Sequence, residues 1–255
     1  MHQNENMINY SNWVSKKFIV VPLSLALACM AFSSFSLWFM IGALFFLIIA
    51  IYFLVARQLF SPQYGHIQQQ VQELILEKLD PFTGKPVSIL DIGCGNGPLT
   101  IEAAAHNPQA NVMGVDVWGK HWDYSISECE ENARLAGVAE RVAFRQASAK
   151  SLPFGDGSFD IVLSNLVFHE VRGVKDKRIL IREALRVLKP GGTFILQDLF
   201  LLRSYYGAPQ ELVATIRSWG VTGVDFMRTC DSAFIPTWVK LPFMLGALAM
   251  VVGEK

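Results

Sequence analysis

The chain has 255 residues, which is enough for one large domain or for a domain of ordinary size with an additional segment. Its 22 basic residues balance its 22 acidic residues. This balance disfavours a nucleic-acid-binding protein, because such proteins usually carry a basic excess or patch. The four cysteines form no C-x-x-C pair and show no metal-ligand spacing, so we expect reduced thiols and no metal site.

An uncharged, apolar segment follows the N-terminal tail, residues 1–17. Residues 18–56 contain no Asp, Glu, Lys, Arg or His. As a single helix they would be about twice as long as the ~30 Å hydrocarbon core of a bilayer. Serines near the middle indicate a turn, so we predict a two-helix transmembrane hairpin with helices at about 18–35 and 38–56. A signal peptide would be shorter, and a buried core hairpin would normally show a polar face, so both alternatives are less favoured.

Cations flank this apolar segment at its outer ends only, at Lys16, Lys17 and Arg57. Lys and Arg concentrate on the cytoplasmic side of membranes. We therefore predict a membrane protein with two passes, whose tail and residues 57–255 face the cytoplasm. A second uncharged stretch, residues 241–253, has 13 residues and is too short to span, which favours a strand there.

The remaining chain begins with an amphipathic helix and continues as alternating strands and helices. Apolar residues at spacings of three and four predict the helix within a linker, residues 57–86: Ile67, Val71, Leu74, Ile75 and Leu79. The domain that follows, residues 87–255, has strand patterns at 87–92, 111–116, 141–146, 159–165 and 192–200, with a turn at 189–192. Helical patterns lie between most of them, as in 125–137 and 174–188. This alternation predicts an α/β fold with a doubly wound, mostly parallel sheet.

The most informative motif follows the first strand. "SILDIGCGNGPLT", residues 88–100, contains D-x-G-x-G-x-G from Asp91 to Gly97. A glycine turn between a strand and a helix brings backbone N–H groups to a nucleotide at the positive end of the helix dipole. Pro98 replaces the third glycine of the dinucleotide motif, which disfavours a nucleotide-dependent reductase, and the Walker motif is absent.

At this motif the chain resembles the class I S-adenosylmethionine-dependent methyltransferases, of the methyltransferase type 11 kind that acts on small molecules and lipids. The resemblance covers about residues 66–255 and includes Asp116 at the end of the second strand, "SLPFGDGSFDIVLSNLVFHEV" and "EALRVLKPGGTFIL". It implies a Rossmann-like sheet with an antiparallel last strand, S-adenosylmethionine as cofactor and methyl transfer as activity. The alternative is a membrane protein that binds this cofactor without catalysis, as a sensor or assembly partner.

The resemblance also implies roles for individual residues. The loop glycines approach the methionine and ribose portions, Asp91 organises the amino-acid end, and Asp116 binds the ribose. Ser148 stands where many relatives have an acidic residue for the adenine amino group, so it lacks charge assistance there. The expected cofactor-binding residues are Asp91, Gly93, Cys94, Gly95, Gly97, Asp116, Val117, Ser148, Ala149 and Asn165.

His169 is the only histidine predicted near the methyl-transfer position. It is the candidate general base, against the alternative of a histidine hydrogen-bonded within its loop. Trp118, Trp122 and Tyr124 are expected to cover the adenine, to line the substrate entrance or to pack against the sheet edge.

The motifs of amino-methylating nucleic-acid enzymes and of cytosine carbon-5 methylation are absent, which disfavours DNA as a substrate. A small-molecule or lipid acceptor is expected, and the hairpin favours a lipophilic one near the membrane. Residues 201–240 are expected to form the acceptor pocket or simply to cover the sheet. The apolar and aromatic residues singled out there are Leu201, Leu202, Tyr205, Tyr206, Phe226 and Phe234.

Overall fold

The computed structural model of the protein describes residues 8–61, 63–119, 125–242 and 244–255. The described residues form two compact units. One unit comprises the residues up to Ser11 together with Val71–Lys255, and the other comprises Asn12–Gln70.

The smaller unit contains a helical hairpin of α1 (Lys17–Ala31) and α2 (Leu37–Leu59). Phe18 of α1 stacks on Phe53 of α2 with ring centroids 5.0 Å apart. The buried side chains of the two helices are alanines, and such small residues let helices approach closely: Ala26, Ala43, Ala50 and Ala56. Most of the larger apolar side chains of both helices are exposed, which is the reverse of a soluble core.

Among the described helices, α2 alone is long and apolar enough to cross a membrane, with 23 residues. The predicted helix at 18–35 ends at Ala31, because residues 32–35 form the turn that the serines indicated. α1 therefore has 15 residues, a length of about 22 Å against the ~30 Å hydrocarbon core. The predicted second crossing is not confirmed, since α1 by itself is too short.

The predicted amphipathic helix is α3 (Ile67–Leu76), which continues as a 3-10 turn over Glu77–Phe82. Four of its five predicted apolar positions are fully buried and the fifth, Leu74, is half-buried: Ile67, Val71, Ile75 and Leu79. The spacing of three and four thus identified the buried face correctly.

The larger unit is built on a seven-stranded sheet in the order β3-β2-β1-β4-β5-β7-β6. The pairs from β3 through β5 are parallel, and β7 runs antiparallel to both β5 and β6, which confirms the predicted mostly parallel sheet with an antiparallel last strand. The strands are β1 (Ser88–Ile92), β2 (Asn111–Asp116), β3 (Val142–Gln146), β4 (Phe159–Asn165), β5 (Leu188–Asp198), β6 (Thr222–Met227) and β7 (Ala249–Glu254).

The predicted turn at 189–192 is wrong, because these residues belong to β5. Leu188 pairs with Phe159 before the register shifts at the bulge, and Thr193 then pairs with Ile161. The glycines of "KPGG" therefore lie in the irregular first part of a strand and not in a turn.

Helices cover both faces of the sheet, which explains why its central strands are almost continuously apolar. They are α4 (Pro98–His106), α5 (Ile126–Leu135), α6 (Arg178–Val187), α7 (Arg203–Tyr206) and α8 (Pro209–Arg217). Successive residues of β1 enter different core clusters: Leu90 belongs to the cluster that contains side chains of α6 and α8, and Ile89 belongs to the one that contains side chains of α4. Ser125 caps the N-terminus of α5, where its hydroxyl accepts a hydrogen bond from the Glu128 N–H at 3.4 Å.

Candidate active site

The predicted site residues gather at one edge of the sheet. β1, β2, β3 and β4 are mutually parallel, so their carboxyl ends meet at this edge. The chain moves from β1 outward to β2 and β3 and then returns to β4 on the other side of β1. Such a reversal leaves a crevice above the strand ends, which is where ligands bind in open α/β sheets.

The glycine loop between β1 and α4 adopts a conformation that favours glycine at three positions. Gly93, Gly95 and Gly97 have φ values of 77°, 60° and 89°. The N–H groups of Gly93 and Cys94 both donate to the Val115 carbonyl, at 2.7 and 3.0 Å. A Cβ atom on Gly93 would lie 2.1 Å from Val167, so backbone conformation and close approach both require glycine there.

Asp91 is buried at the end of β1, where its Oδ2 accepts a hydrogen bond from the Thr100 hydroxyl at 2.6 Å. Burial and, to a smaller extent, the nearby Asp116 carboxylate raise the pKa of Asp91 to about 7, against the opposing effect of the Thr100 hydrogen bond. The crevice edge thus holds a carboxyl group with a pKa near neutral pH.

Asp116 fixes the glycine loop to the end of β2. Its Oδ2 accepts from the Gly95 N–H at 2.9 Å, and its Oδ1 accepts from the Val117 N–H at 2.6 Å. Trp118 closes the arrangement, since its indole Nε1 donates to the Gly95 carbonyl at 2.8 Å. Burial raises the pKa of Asp116 even though three backbone N–H groups act against it.

The other predicted cofactor-binding residues lie at the same edge. Ser148 and Ala149 follow β3, with the Ser148 hydroxyl accepting from the Lys150 N–H at 3.3 Å. Val117 follows β2 and is exposed, and Asn165 is the last residue of β4. Of the predicted aromatic residues, Trp118 contacts the loop, whereas Trp122 and Tyr124 lie outside the described residues.

In the 201–240 segment, three of the apolar residues pack against the core cluster of the sheet: Leu201, Tyr206 and Phe226. For these three residues, the structure supports the expectation that the segment covers the sheet.

His169 lies four residues after β4 and contacts Asp198, the last residue of β5. Its Nδ1 is 2.6 Å from Asp198 Oδ1. Asp198 is 1% exposed, and its Oδ2 also accepts from the Phe168 N–H at 2.7 Å. Because the carboxylate can only accept, Nδ1 carries the hydrogen of a neutral His169, and Nε2 is left as a proton acceptor.

Neighbouring carboxylates raise the pKa of His169. Burial lowers it, but the Asp198 carboxylate, its hydrogen bond and Glu170 together outweigh burial. Burial raises the pKa of Glu170, and the carboxylates of Asp198 and Asp116 raise it as well, so Asp116 lies within electrostatic reach of Glu170.

Backbone strain occurs in the same loop. Leu166, directly after β4, has φ 58°, in the left-handed region that non-glycine residues rarely adopt. Such strain concentrates at functional sites. Sequence reasoning missed Asp198, whose only signal was an acidic residue at the end of the fifth parallel strand.

A family model described as a methyltransferase domain matches residues 84–228. The chain belongs to this methyltransferase family. It is an enzyme of the methyltransferase class, and S-adenosylmethionine is the cofactor that the resemblance implied. The residues at this edge fit that cofactor, because three loop positions have the backbone conformation that favours glycine and the Asp116 carboxylate lies beside them.

Two relatives show how far the similarity extends. The methyltransferase is 30% identical over 189 residues to an uncharacterized methyltransferase of Synechocystis, a match that covers 72% of this chain and 82% of the relative. It is 38% identical over 119 residues to 27-O-demethylrifamycin SV methyltransferase of Amycolatopsis mediterranei, covering 47% of this chain and 41% of that protein. The chain spans less than half the length of several curated relatives that it matches.

Solved structures agree on the fold. Geranyl diphosphate methyltransferase in complex with GPP and sinefungin superposes with a TM-score of 0.57 at 16% identity, covering 78% of this chain and 81% of that one. At this identity the similarity establishes the Rossmann-like methyltransferase fold and no substrate.

The expected exclusion of nucleic acid is not confirmed. A U6 snRNA (guanine-N(2))-methyltransferase of Bos taurus is 34% identical over 109 residues, covering 42% of this chain and 21% of that protein. The family similarity therefore includes a protein named for RNA methylation, and the balanced charge of the chain does not by itself separate it from such relatives.

Proposed function

We propose that this methyltransferase moves a methyl group from S-adenosylmethionine to a small, lipophilic acceptor near a membrane. The observation that carries the proposal is the His169–Asp198 pair at the cofactor edge of a chain that also contains the membrane-length helix α2. The pair supports catalysis, and the apolar helix supports an acceptor that partitions into lipid.

The cofactor residues of the proposal are those at the carboxyl ends of the parallel strands. Backbone groups of the loop formed by Gly93, Cys94, Gly95 and Gly97 approach the cofactor, with Asp91 and Asn165 at its methionine end. Asp116 Oδ2 accepts the Gly95 N–H and has a further lone pair for a ribose hydroxyl, whereas Oδ1 accepts from the N–H groups of both Val117 and Trp118. Val117, Ser148 and Ala149 complete the set at the adenine end.

When bound, S-adenosylmethionine supplies a methyl group whose bond to sulfur breaks with the electron pair left on sulfur. His169 is the proposed general base, because a hydroxyl acceptor must lose its proton and the His169 Nε2 is available to take it. Asp198 holds the imidazole in the required tautomer and stabilises the imidazolium that forms. Glu170 Oε1, 3.9 Å from Nε2, adds a second negative charge beside it once ionised.

The hairpin of α1 and α2 is the proposed membrane anchor, with two passes and both ends cytoplasmic. Its outer ends carry Lys16, Lys17 and Arg57, as the charge rule for cytoplasmic segments requires. α1 packs along α2 through Phe18 and Phe53, which supports insertion of the two helices together even though α1 is the shorter.

The test is transfer of a labelled methyl group by the purified full-length protein, offered lipid extract, aqueous metabolites and RNA in separate tubes. The proposal expects label in the lipid fraction, with loss of transfer in His169→Gln. Label confined to the aqueous or RNA fraction would contradict the lipophilic acceptor. Label in lipid that persists in His169→Gln would contradict the general base.

Cofactor binding is tested separately by calorimetry with S-adenosylhomocysteine. Asp116→Ala is expected to weaken binding by about 1–3 kcal/mol, the cost of leaving polar groups unpaired. An unchanged affinity would contradict the ribose assignment of Asp116.

A further inference from the structure

The N-terminal segment Ile8–Ser11, here called the strap, is hydrogen-bonded to the cofactor loop and to α5. The Asn9 N–H donates to Asn132 Oδ1 at 3.0 Å, and Asn132 Nδ2 donates back to the Asn9 carbonyl at 3.0 Å. Asn96, inside the glycine loop, donates from Nδ2 to the same Asn9 carbonyl at 2.7 Å and to Ser11 Oγ at 3.1 Å. Asn132 Nδ2 also donates to the Asn96 carbonyl at 3.1 Å.

Burial makes these hydrogen bonds hard to replace. With the strap in place, Asn96 is 3% exposed and Asn132 is 2% exposed, so both amides make these hydrogen bonds out of contact with water. A buried amide that loses its partner keeps the full cost of its desolvation. The strap therefore satisfies polar groups that the loop and α5 cannot satisfy by themselves.

Two further contacts hold the strap in place. Tyr10 packs against the core cluster on the α4 face of the sheet, and burial together with Glu102 raises its pKa. Asn9 Nδ2 donates to Glu128 Oε1 at 2.9 Å, at the start of α5. The strap is thus attached both by an apolar side chain and by polar contacts on α5.

We propose that the strap is a positioning element of the cofactor site, which holds Asn96 and thereby the Gly95–Gly97 turn in the binding conformation. Glycine-rich loops lose much conformational freedom when they become ordered. A segment that orders the loop in advance removes this cost from the binding step. The inference rests on the proposed cofactor residues of the loop and is independent of the acceptor.

Linkage makes the effect reciprocal. If the strap raises the affinity of the loop for the cofactor, then the bound cofactor must stabilise the strap by the same factor. The backbone amide of Asn9, which donates to Asn132, reports this stabilisation as slower hydrogen exchange.

The test compares four variants of the full-length protein in detergent by calorimetry with S-adenosylhomocysteine. Deletion of residues 2–11 and Asn132→Ala are each expected to raise the Kd by about tenfold or more, from the loss of two or more hydrogen bonds. The matched controls are deletion of residues 2–7, which retains the strap, and Glu130→Ala, an exposed position of α5. Both controls are expected to leave the Kd within about twofold, which is the range that a surface change typically produces.

Hydrogen exchange on the unaltered protein distinguishes positioning from a purely structural role. Slower exchange of the 8–11 segment on addition of S-adenosylhomocysteine supports the proposal, and unchanged exchange or an unchanged Kd in both strap variants overturns it. This measurement needs no variant, so it holds even if the deletion fails to fold. Failure of the unaltered protein to bind S-adenosylhomocysteine would instead contradict the cofactor assignment itself, and with it the strap.

Discussion

His169 Nδ1 lies 2.6 Å from Asp198 Oδ1, although the two residues are 29 positions apart in the chain. Pairing of β4 with β5 brings them together, because Asp198 ends one strand and His169 follows the other. The contact gives the histidine a defined tautomer and a raised pKa, which are the properties of a base that works near neutral pH.

The first prediction concerns Asp198→Asn. In the proposed mechanism neutral His169 is the active form, so kcat/KM should rise as the pH increases through a pKa above the ordinary 6.5. Without the Asp198 carboxylate the main contribution that raises this pKa is lost, and burial lowers the pKa against the smaller effect of Glu170. The rising limb of the pH profile should therefore move to lower pH, and kcat should fall by about 10²-fold or more.

Asp225→Asn, at an exposed position of β6, is the matched control and should leave the profile unchanged. A pH limb that stays in place in Asp198→Asn would show that His169 is not the titrating base.

The second prediction concerns Asp91, whose pKa is about 7. Below that pH the carboxyl group becomes neutral and no longer attracts the cofactor's ammonium group. Affinity for S-adenosylhomocysteine, measured by calorimetry across neutral pH, should therefore fall as the pH decreases through about 7. Thr100→Val removes a hydrogen bond that lowers the pKa, so the midpoint should move to higher pH.

Thr100→Ser retains the hydroxyl and is the control, with an expected midpoint close to that of the unaltered protein. Asp91→Asn should abolish the pH dependence. A persistent transition near neutral pH in Asp91→Asn would assign the titration to another group.

The third prediction distinguishes the two reasons for glycine at position 93, which are its backbone conformation and its close approach to Val167. Gly93 and Gly137 have similar φ values, 77° and 72°, but a Cβ at Gly93 would collide with Val167, whereas nothing lies within 4 Å of one at Gly137. Both changes to Ala cost roughly 1–2 kcal/mol in backbone strain. Gly93→Ala should lower the free energy of unfolding by a further ~1–3 kcal/mol, measured by urea denaturation.

Adding Val167→Ala to Gly93→Ala should recover part of that loss, because two of the colliding methyl groups are removed. Equal losses for Gly93→Ala and Gly137→Ala would contradict the close approach of the loop to Val167.

The fourth prediction concerns the proposed membrane anchor. Ile48 lies at the middle of α2 with an exposed side chain. Ile48→Arg should cost about 2.5–3.5 kcal/mol of insertion free energy and move protein from the membrane fraction to the alkaline-carbonate extract. Leu37→Arg, at the first residue of the same helix, places its charge near the interface and should remain in the membrane.

Equal extraction of the two arginine variants would argue against α2 as a spanning helix. Extraction of the unaltered protein by alkaline carbonate would also argue against α2 as a spanning helix.

Local patterns allowed the sequence to predict much of the fold. β2 and β4 occupy the predicted residues 111–116 and 159–165, because short apolar runs there are bounded by polar and glycine residues. The predictions of a turn at 189–192 and of the end of α1 were wrong because local patterns do not mark these two boundaries. The strand bulge depends on pairing with Phe159, and a uniformly apolar segment contains little that marks where a helix ends.

By itself the sequence determined the family, the cofactor and the loop that is proposed to bind it, since a glycine motif and its strand and helix are contiguous in the chain. Only the tertiary structure decided the partners of the site residues. His169 meets Asp198 through strand pairing, and Asn9 meets Asn132 across 123 positions. Such contacts depend on how sequence-distant elements pack, and no local spacing encodes them.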